Sequence, residues 1–567
     1  MRPKHERNNS GQMGALQNER DYLCTLETRS KDKLIVFSSS TTSPLNQLLS
    51  SQHPGGGLMK DLPITLPPTQ TSSDTLAKEI VNNSSNVFHR KYSLKGISTV
   101  ATPQTFFNNT ISNVNTPFSS NGTAYLSPIP VSSESVNSIL KKLVVNAAYH
   151  SRLGDADVDD AENAFFVADL GDIARQYYQW RSMLSRVEPF YAVKCNPDPT
   201  IVKTLVSLGA SFDCASKAEI QTVLDMGVDP SRIIYANPCK QTSFIRWAAA
   251  RGVTMMTFDN ADELLKIKGV HPNAKVVLRI LTDDSHSVCK LGTKFGASQA
   301  VVPSLLTTCR NLGADLVGVS FHVGSGCGSA RAFSDAVALA RSVFDLAEDF
   351  GFNLTLLDIG GGFPGRVTSG VTFAEIAAVL RPALDTYFPA DMGVRIIAEP
   401  GRYFVSAACT LAVNVIARRV VHSTVISPLA VDSAVPNADR MLVDENVNPN
   451  AVVDETPSFM YYVNDGVYGS FNCLMFDHAI VTPRLLLRDG AYVYGTDLKD
   501  EVYRKYSCSI WGPTCDSIDC ISKDAFLPQL NIGDWLCFEN MGAYTMCAAS
   551  TFNGFAKSKI LYTNTEN

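Results

Sequence analysis

The residue of this chain best suited to covalent chemistry is Lys194, which follows the apolar run PFYAV and precedes the turn-forming residues CN. Burial penalises an ammonium, so a lysine at the end of a buried strand is expected to have a lowered pKa and a nucleophilic amine. Such an amine can form a Schiff base with an aldehyde, for example pyridoxal 5′-phosphate. The alternative is a lysine that extends its ammonium into solvent, and this run alone favours that alternative.

The elements that would position Lys194 form a regular series of strand-like and helix-like segments. Helix-like patterns, for example over 216–226 and 330–350, separate eight strand-like runs that begin near Phe190, Ser211, Ile233, Thr254, Val276, Leu316, Leu354 and Arg395. This alternation is typical of parallel βα units. Eight units predict a (β/α)8 TIM-like barrel, with a doubly wound open sheet as the runner-up.

A barrel carries its functional residues at the C-terminal ends of its strands. The predicted strand ends offer polar groups at nearly every position, namely Lys194, Asp213, Asn237, Asp259, Arg279, His322, Glu399 and Arg402. Packing does not explain so many polar groups at one end of a barrel. The pattern therefore shifts the interpretation of Lys194 towards a functional role.

Two glycine-rich turns follow predicted strands, Gly324-Ser325-Gly326 and Gly360-Gly361-Gly362, and Gly401-Arg402 ends a third. Glycines let backbone N–H groups approach a phosphate closely, so the three turns together suggest one phosphate site. A dinucleotide-binding site is the rival interpretation. The first turn lacks the G-x-G-x-x-G spacing that such a site requires.

Glu399 and His322 are candidates for contacts with a cofactor ring. A carboxylate opposite a pyridine nitrogen would keep that nitrogen protonated and strengthen the ring as an electron sink. A flat imidazole could stack on the same ring. The alternatives are an exposed acid and a structural histidine.

The sequence also predicts how the chain divides into segments. Residues 1–130 are rich in Ser, Thr, Asn and Gln and predict a disordered N-terminal extension. Residues 131–168 predict a segment that packs with the β domain, and residues 169–406 form the predicted barrel. Residues 407–567 predict a second, mostly β domain, of sandwich or barrel type, with a flexible loop at 422–457.

Three residues of the β domain could act on a substrate. Cys515 could donate a proton to a carbanion, although a buried inert thiol is the usual case. Asp477 and Asp516 could bind a cationic group at the far end of a substrate, or they could be surface acids.

Composition excludes several classes of function. The chain has 567 residues, 18% of them charged, and a net charge of -6, which argues against a nucleic-acid-binding face. No run approaches the roughly 18 apolar residues of a membrane helix, and no apolar segment follows the N-terminus as in a secretory signal. The 14 cysteines lack paired C-x-x-C spacing, so no metal site and a cytoplasmic location are predicted.

Nine motifs resemble eukaryotic ornithine decarboxylases, which are fold-type III pyridoxal phosphate enzymes: PFYAVKCN, FDCASKAEI, ANPCK, SFHVGSGC, DIGGGFPG, AEPGRYF, YYVNDGVYGSFNC, SIWGPTCDSID and ENMGAYT. The resemblance covers nearly all of the predicted folded part. It implies decarboxylation of L-ornithine to putrescine, the entry step of polyamine biosynthesis, by a homodimer with shared active sites. Antizyme is a further partner that it implies as possible.

The resemblance also implies roles for individual residues. The catalytic residues would be Lys194, His322, Glu399 and Cys515, with Cys515 and Asp516 acting on the cofactor of the neighbouring subunit. The cofactor would contact Lys194, Asp213, Arg279, His322, Ser325, Gly362, Glu399, Gly401, Arg402 and Tyr544. The substrate would contact Asp477, Asp516, Phe476 and Phe552, and Phe476 stands where the family pattern has tyrosine.

Alternatives to ornithine decarboxylation are a racemase, a diaminopimelate decarboxylase, a decarboxylase of lysine or another basic amino acid, and a non-enzymatic antizyme-binding paralogue. A racemase would gain little from the electron sink that Glu399 supplies. Paired aspartates suit a purely cationic substrate end better than the zwitterionic end of diaminopimelate. A non-enzymatic paralogue is expected to lose cofactor-site residues, which are present here.

Overall fold

A computed structural model describes residues 131–153, 161–366, 370–421, 457–495 and 504–565 of the chain. The predicted extension at 1–130 and residues 422–456 of the predicted loop lie outside the described residues.

The first described elements are β1 (Val131–Ser132), α1 (Val136–Leu153), β2 (Phe165–Asp169) and α2 (Leu170–Met183). Helix α2 begins directly after β2 because the Asp169 carboxylate accepts a hydrogen bond from the N–H of Gly171. Such a cap satisfies one of the N–H groups that the first helical turn leaves unpaired.

The next part of the chain alternates strands and helices. Its elements are β3 (Val187–Ala192), α3 (Pro199–Leu208), β4 (Ser211–Cys214), α4 (Lys217–Asp225), β5 (Ile233–Tyr235), α5 (Thr242–Ala249), β6 (Met255–Phe258), α6 (Ala261–Val270), β7 (Lys275–Arg279), β8 (Ser287–Cys289), α7 (Val302–Asn311), β9 (Asp315–Ser320), β10 (Ser325–Cys327), α8 (Ala330–Asp349), β11 (Leu356–Asp358), α9 (Phe373–Tyr387), β12 (Arg395–Ala398) and α10 (Arg402–Val405).

Eight of these strands pair in parallel and close into a barrel in the order β11-β12-β3-β4-β5-β6-β7-β9. The predicted barrel is confirmed, since each of the eight predicted strands is present, and closure excludes the open sheet. Apolar side chains fill the barrel interior: Phe190, Ile234, Met255, Val277, Leu356 and Ile397. Burying each one contributes roughly 1.5–3 kcal/mol to stability.

Strands β8 and β10 form a separate antiparallel pair that the sequence did not predict, with Cys289 opposite Ser325. The pairing requires glycine at position 324, because an added Cβ would lie 2.5 Å from the Cβ of Ser287. The first glycine-rich turn is thereby fixed beside the barrel.

The predicted β domain is also confirmed. Its elements are β13 (Cys409–Val421), β14 (Ser458–Val463), α11 (Cys473–Phe476), β15 (Arg484–Arg488), β16 (Ala491–Tyr492), β17 (Lys505–Trp511), β18 (Cys520–Pro528), β19 (Trp535–Phe538) and β20 (Lys559–Thr563). Strand β2 pairs antiparallel with β13 and parallel with β20, so the strand that precedes the barrel belongs to the same sheet as the strands that follow it.

Candidate active site

A cavity of about 450 Å³ opens at the C-terminal ends of the barrel strands, against the β domain. The structure brings most of the predicted site residues together on its wall: Lys194, Arg279, His322, Ser325, Gly362, Glu399, Gly401, Arg402, Phe476, Asp477 and Tyr544.

Lys194 lies in the single helical turn Val193–Cys195 that directly follows β3. Its Nζ is 2.5 Å from Oδ2 of Asp213. The side chain is 42% exposed because it borders the cavity, whereas the side chain of Asp213 is fully buried. Strands β3 and β4 pair with Ala192 opposite Asp213, and this register places the acid beside the lysine.

The predicted lowering of the Lys194 pKa is wrong for this arrangement. Burial alone would lower the pKa, but attraction to the carboxylates of Asp213 and Glu399 outweighs burial and raises the pKa. The amine is therefore held as an ammonium within a charged cluster. To act as a nucleophile it must transfer a proton when the aldehyde binds.

The sequence analysis missed Asp358, which lies at the end of β11 and is fully buried. One carboxylate oxygen accepts a hydrogen bond from the N–H of Gly360 at 2.9 Å. The side chain also interacts with the carboxyl group of Glu399, the buried acid that follows the neighbouring strand β12. Burial and the repulsion between two ionised carboxylates favour a proton on this pair.

The pKa values of both acids are raised. Burial is the main cause for each, and the neighbouring Asp358 carboxylate adds to it at Glu399. With one shared proton, Asp213, Asp358 and Glu399 carry two negative charges, which balance the cations of Lys194 and Arg279. A strand-end acid directly before a glycine turn is the sequence signal that could have identified Asp358.

His322 lies shortly after β9. A hydrogen bond fixes its ring, since Nδ1 accepts from the N–H of Gly324 at 3.0 Å. An added Cβ on Gly361 would lie 2.8 Å from Nε2 of His322, so the second glycine turn leaves room for the imidazole ring. Burial, Arg279 and Lys194 together place the pKa of His322 well below its usual value. The ring is therefore neutral.

The predicted phosphate ligands form a cationic recess, here called the phosphate recess (Ser325, Gly362, Gly401, Arg402 and Tyr544). Nη2 of Arg402 donates to Oγ of Ser325 at 3.3 Å, and the guanidinium lies 5.0 Å from the centre of the Tyr544 ring. Gly362 has a φ of +99°, and an added Cβ would lie 2.5 Å from the carbonyl oxygen of Gly324. Backbone exposed by glycine beside a guanidinium fits a phosphate.

Asp477 directly follows α11, lines the cavity and contacts the phosphate recess. Its Oδ1 lies 2.6 Å from Nη2 of Arg402. The hydrogen bond and the charge of Asp477 raise the pKa of Arg402 even though burial opposes the shift. The neighbouring Phe476 lines the cavity while 73% of its surface is exposed.

Cys515, Asp516 and Phe552 do not line this cavity. They lie in a separate, partly exposed cluster in which the hydroxyl of Tyr468 donates to Asp516 and the rings of Tyr468 and Phe552 stack 4.2 Å apart. The N–H of Cys515 donates to the side chain of Asn553 at 3.2 Å. Within one chain, therefore, Asp516 and Asp477 are not brought together.

A buried ion pair behind the cavity wall was also missed. The side chain of Lys240 is completely buried, and its Nζ lies 2.9 Å from Oε1 of Glu263. The ammonium also donates to the carbonyl oxygens of Asn237 at 2.9 Å and Thr257 at 2.6 Å. Lys240 therefore fixes the segment after β5, where Asn237 lines the cavity.

Among the described residues, no three His, Cys, Asp or Glu side chains are grouped so that they could hold a metal ion. The helices of these residues are all too short or too polar to cross a lipid bilayer.

Comparison with known proteins identifies the family. Residues 170–406 match the model of the pyridoxal-dependent decarboxylase, pyridoxal binding domain. The chain is 52% identical over 411 residues to ornithine decarboxylase of Mus pahari, covering 72% of this chain and 83% of the relative. It is 51% identical over 410 residues to antizyme inhibitor 2 of Xenopus laevis, with the same coverage.

Solved structures agree with this assignment. The arginine decarboxylase of Paramecium bursaria Chlorella virus is 32% identical, with a TM-score of 0.62, and the match covers 75% of this chain and all of that one. The cadaverine complex of the lysine/ornithine decarboxylase of Vibrio vulnificus is 29% identical, with a TM-score of 0.58, covering 73% of this chain and 98% of that one. The cavity with Lys194 at the end of the first barrel strand thus lies in a domain that binds pyridoxal phosphate, and the chain belongs to the eukaryotic ornithine decarboxylase family of pyridoxal-dependent decarboxylases.

Proposed function

We propose that the chain decarboxylates L-ornithine to putrescine and CO2 with pyridoxal 5′-phosphate, as the entry step of polyamine biosynthesis. The observation that carries the proposal is the placement of Lys194 in one cavity with Glu399 and the phosphate recess. A lysine amine, a carboxyl group and a phosphate site are the three contacts that the aldehyde, ring nitrogen and phosphate of this cofactor require.

When bound, pyridoxal phosphate supplies an aldehyde and a ring that withdraws electrons from the substrate Cα. The residues of the phosphate recess would hold the phosphate, and Lys194 would bind the aldehyde carbon. His322, neutral and fixed by Gly324, would lie against the ring. Asp213 and Arg279 would keep the charge of the cluster balanced around Lys194.

Glu399 would contact the ring nitrogen. Because Glu399 and Asp358 share a proton, the pair can keep one negative charge next to a protonated nitrogen without placing two carboxylates there. That charge stabilises the protonated nitrogen, which increases electron withdrawal from Cα.

The proposal requires a second copy of the chain. None of Cys515, Asp516 and Phe552 lines the cavity of its own chain. Cys515 and Phe552 are exposed and Asp516 is half-buried, so a homodimer would bring them to the cavity of the other copy. There Cys515 would protonate Cα after CO2 leaves, and Asp516 would join Asp477 around the distal ammonium. Phe476 and Phe552 would cover the aliphatic part of the substrate.

The proposal includes assignments of the domains and of the compartment. Residues 169–406 would form the cofactor-binding domain and residues 407–567 the β domain, with 131–168 packed against the latter. All thirteen cysteines among the described residues are free, which supports a reducing compartment, and we place the enzyme in the cytoplasm.

The test is release of CO2 from four carboxyl-labelled substrates: ornithine, lysine, arginine and diaminopimelate. Ornithine is expected to give the highest kcat/KM. A preference for lysine or arginine would change the substrate but keep the chemistry. Absence of CO2 release from all four substrates, with cofactor bound, would contradict the enzyme assignment.

The second candidate is a non-enzymatic protein that binds antizyme, because one similar relative carries the name antizyme inhibitor. Lys194, His322, Glu399, Arg402 and Cys515 are all retained here, which favours the enzyme. Binding to purified antizyme in the absence of any CO2 release would favour this candidate instead. Antizyme binding together with CO2 release would make antizyme a partner of the enzyme.

A further inference from the structure

We propose that Asp477 couples the phosphate recess to the site for the distal ammonium of the substrate, so that a phosphate at Arg402 and a diamine at Asp477 strengthen each other's binding. This inference rests on the proposed function and deepens it.

The coupling begins with the guanidinium of Arg402, which pairs with the Asp477 carboxylate and would also hold the phosphate. Nη2 of Arg402 donates to Oδ1 of Asp477 at 2.6 Å and to Oγ of Ser325 at 3.3 Å. The Tyr544 ring lies under the same guanidinium. A phosphate bound in the recess would therefore meet an arginine whose charge is already partly neutralised by Asp477.

Burial makes the competition between Asp477 and a phosphate for the Arg402 guanidinium strong. The side chains of Arg402 and Asp477 are only 22% and 9% exposed, so charges between them are poorly screened. A phosphate next to Arg402 would share the guanidinium with the Asp477 carboxylate or displace it. Sharing brings two anions close together, and displacement leaves a mostly buried carboxylate without its cation, so both weaken phosphate binding.

A cation at Asp477 removes that conflict. An ammonium paired with the Asp477 carboxylate offsets its charge and leaves the guanidinium to the phosphate. Coupling between two binding sites is reciprocal, so the phosphate must strengthen diamine binding by the same factor.

The experiment uses the full-length protein from which the cofactor has been removed. The ligand is pyridoxamine 5′-phosphate, which carries the phosphate but no aldehyde and cannot form a Schiff base. Its affinity is measured by fluorescence titration with and without saturating 1,4-diaminobutane. The control ligands are 1,4-butanediol, which has the same length without charge, and pyridoxamine, which lacks the phosphate. Variants Asp477→Asn and Asp283→Asn are measured in parallel, the second removing an exposed carboxylate from the loop after β7.

The diamine is expected to tighten binding of pyridoxamine 5′-phosphate to the unmodified chain by about fivefold or more, the lower end of typical couplings. The diol and pyridoxamine should show no such effect. Asp477→Asn should bind the analogue more tightly without diamine and should lose the response to diamine, whereas Asp283→Asn should match the unmodified chain.

Equal affinity with and without diamine in the unmodified chain would overturn the coupling, as would a full diamine response in Asp477→Asn. Weaker analogue binding by that variant would also overturn it. These results leave the proposed function intact, whereas failure of the unmodified chain to bind the analogue at all contradicts both.

Discussion

Asp358 and Glu399 follow neighbouring parallel strands of the barrel and meet as two buried acids that share a proton. Gly360 links them, because its N–H donates to the Asp358 carboxylate and its carbonyl oxygen accepts from the N–H of Glu399. The pair therefore provides one protonated and one ionised carboxyl group beneath the cofactor cavity.

This pair predicts a pH-dependent stability. A carboxyl group whose pKa is raised in the folded state stabilises the fold below its unfolded pKa, near 4, and that contribution is lost as pH rises through the folded pKa. Asn does not titrate, so Asp358→Asn should become more stable relative to the unmodified chain as pH rises from 5 to 9. A tenfold difference in proton affinity between the folded and unfolded states corresponds to about 1.4 kcal/mol.

The measurement is the free energy of unfolding in denaturant at several pH values. Asp283→Asn is the control, since the pKa of that exposed acid is lowered by hydrogen bonds from Ser285 rather than raised by burial. A stability difference between Asp358→Asn and the unmodified chain that does not change with pH would contradict the shared proton.

Lys194→Ala is expected to abolish CO2 release and the visible absorbance of covalently held cofactor. It should also leave the buried Asp213 carboxylate without its nearest cation, which costs about 1–3 kcal/mol of stability. Absorbance spectra and denaturant unfolding check the two effects separately. Lys203→Ala, on helix α3, should alter neither, and full activity in Lys194→Ala would exclude the proposed role.

The exposed position of Cys515 predicts complementation between two inactive variants. Mixing Lys194→Ala with Cys515→Ala should restore activity, because one site of each mixed dimer combines an intact Lys194 with an intact Cys515. Random pairing gives about one quarter of the normal activity, since half of the dimers are mixed and each has one complete site. Activity after mixing is the measurement, and no recovery despite confirmed subunit exchange would place Cys515 in its own chain's site.

The ion pair of Lys240 predicts a large stability effect behind the cavity wall. Lys240→Met should cost about 1–3 kcal/mol, because the carbonyl oxygens of Asn237 and Thr257 lose their buried donor. Glu263 also loses one of its two cations and keeps the other, Lys266. Lys268→Met is the matched control: its ammonium also donates to two carbonyl oxygens, of Pro272 and Gly313, but is exposed. The control should cost less than about 1 kcal/mol in denaturant unfolding, and similar costs for the two variants would contradict the argument.

The barrel was predictable because its parallel strands are buried on both faces and appear in the sequence as apolar runs separated by helical patterns. Strands β8 and β10 gave no such signal, since each has only three residues and one contains a glycine. Polar strand ends predicted the cavity wall correctly because closure of the barrel brings those ends together.

Charge interactions were less predictable than positions. The pKa of Lys194 depends on Asp213, 19 residues away in sequence, and on Glu399, so burial alone gave the wrong direction. Asp358 was missed because the turn that contains it was interpreted only through its three glycines, as part of a phosphate site. The separation of Asp477 from Asp516 depends on how the β domain folds, which spacing does not show.

The order of strands in the larger sheet constrains how the protein is made. Strand β2 lies between β13 and β20, and Thr565 after β20 donates to Asp169, 396 residues earlier in the chain. The whole barrel is thus inserted between strands that are neighbours in one sheet. During synthesis, both edges of β2 stay unpaired until the barrel and then its partner strands have left the ribosome. The sheet therefore forms late, and contacts between residues so distant in sequence slow folding.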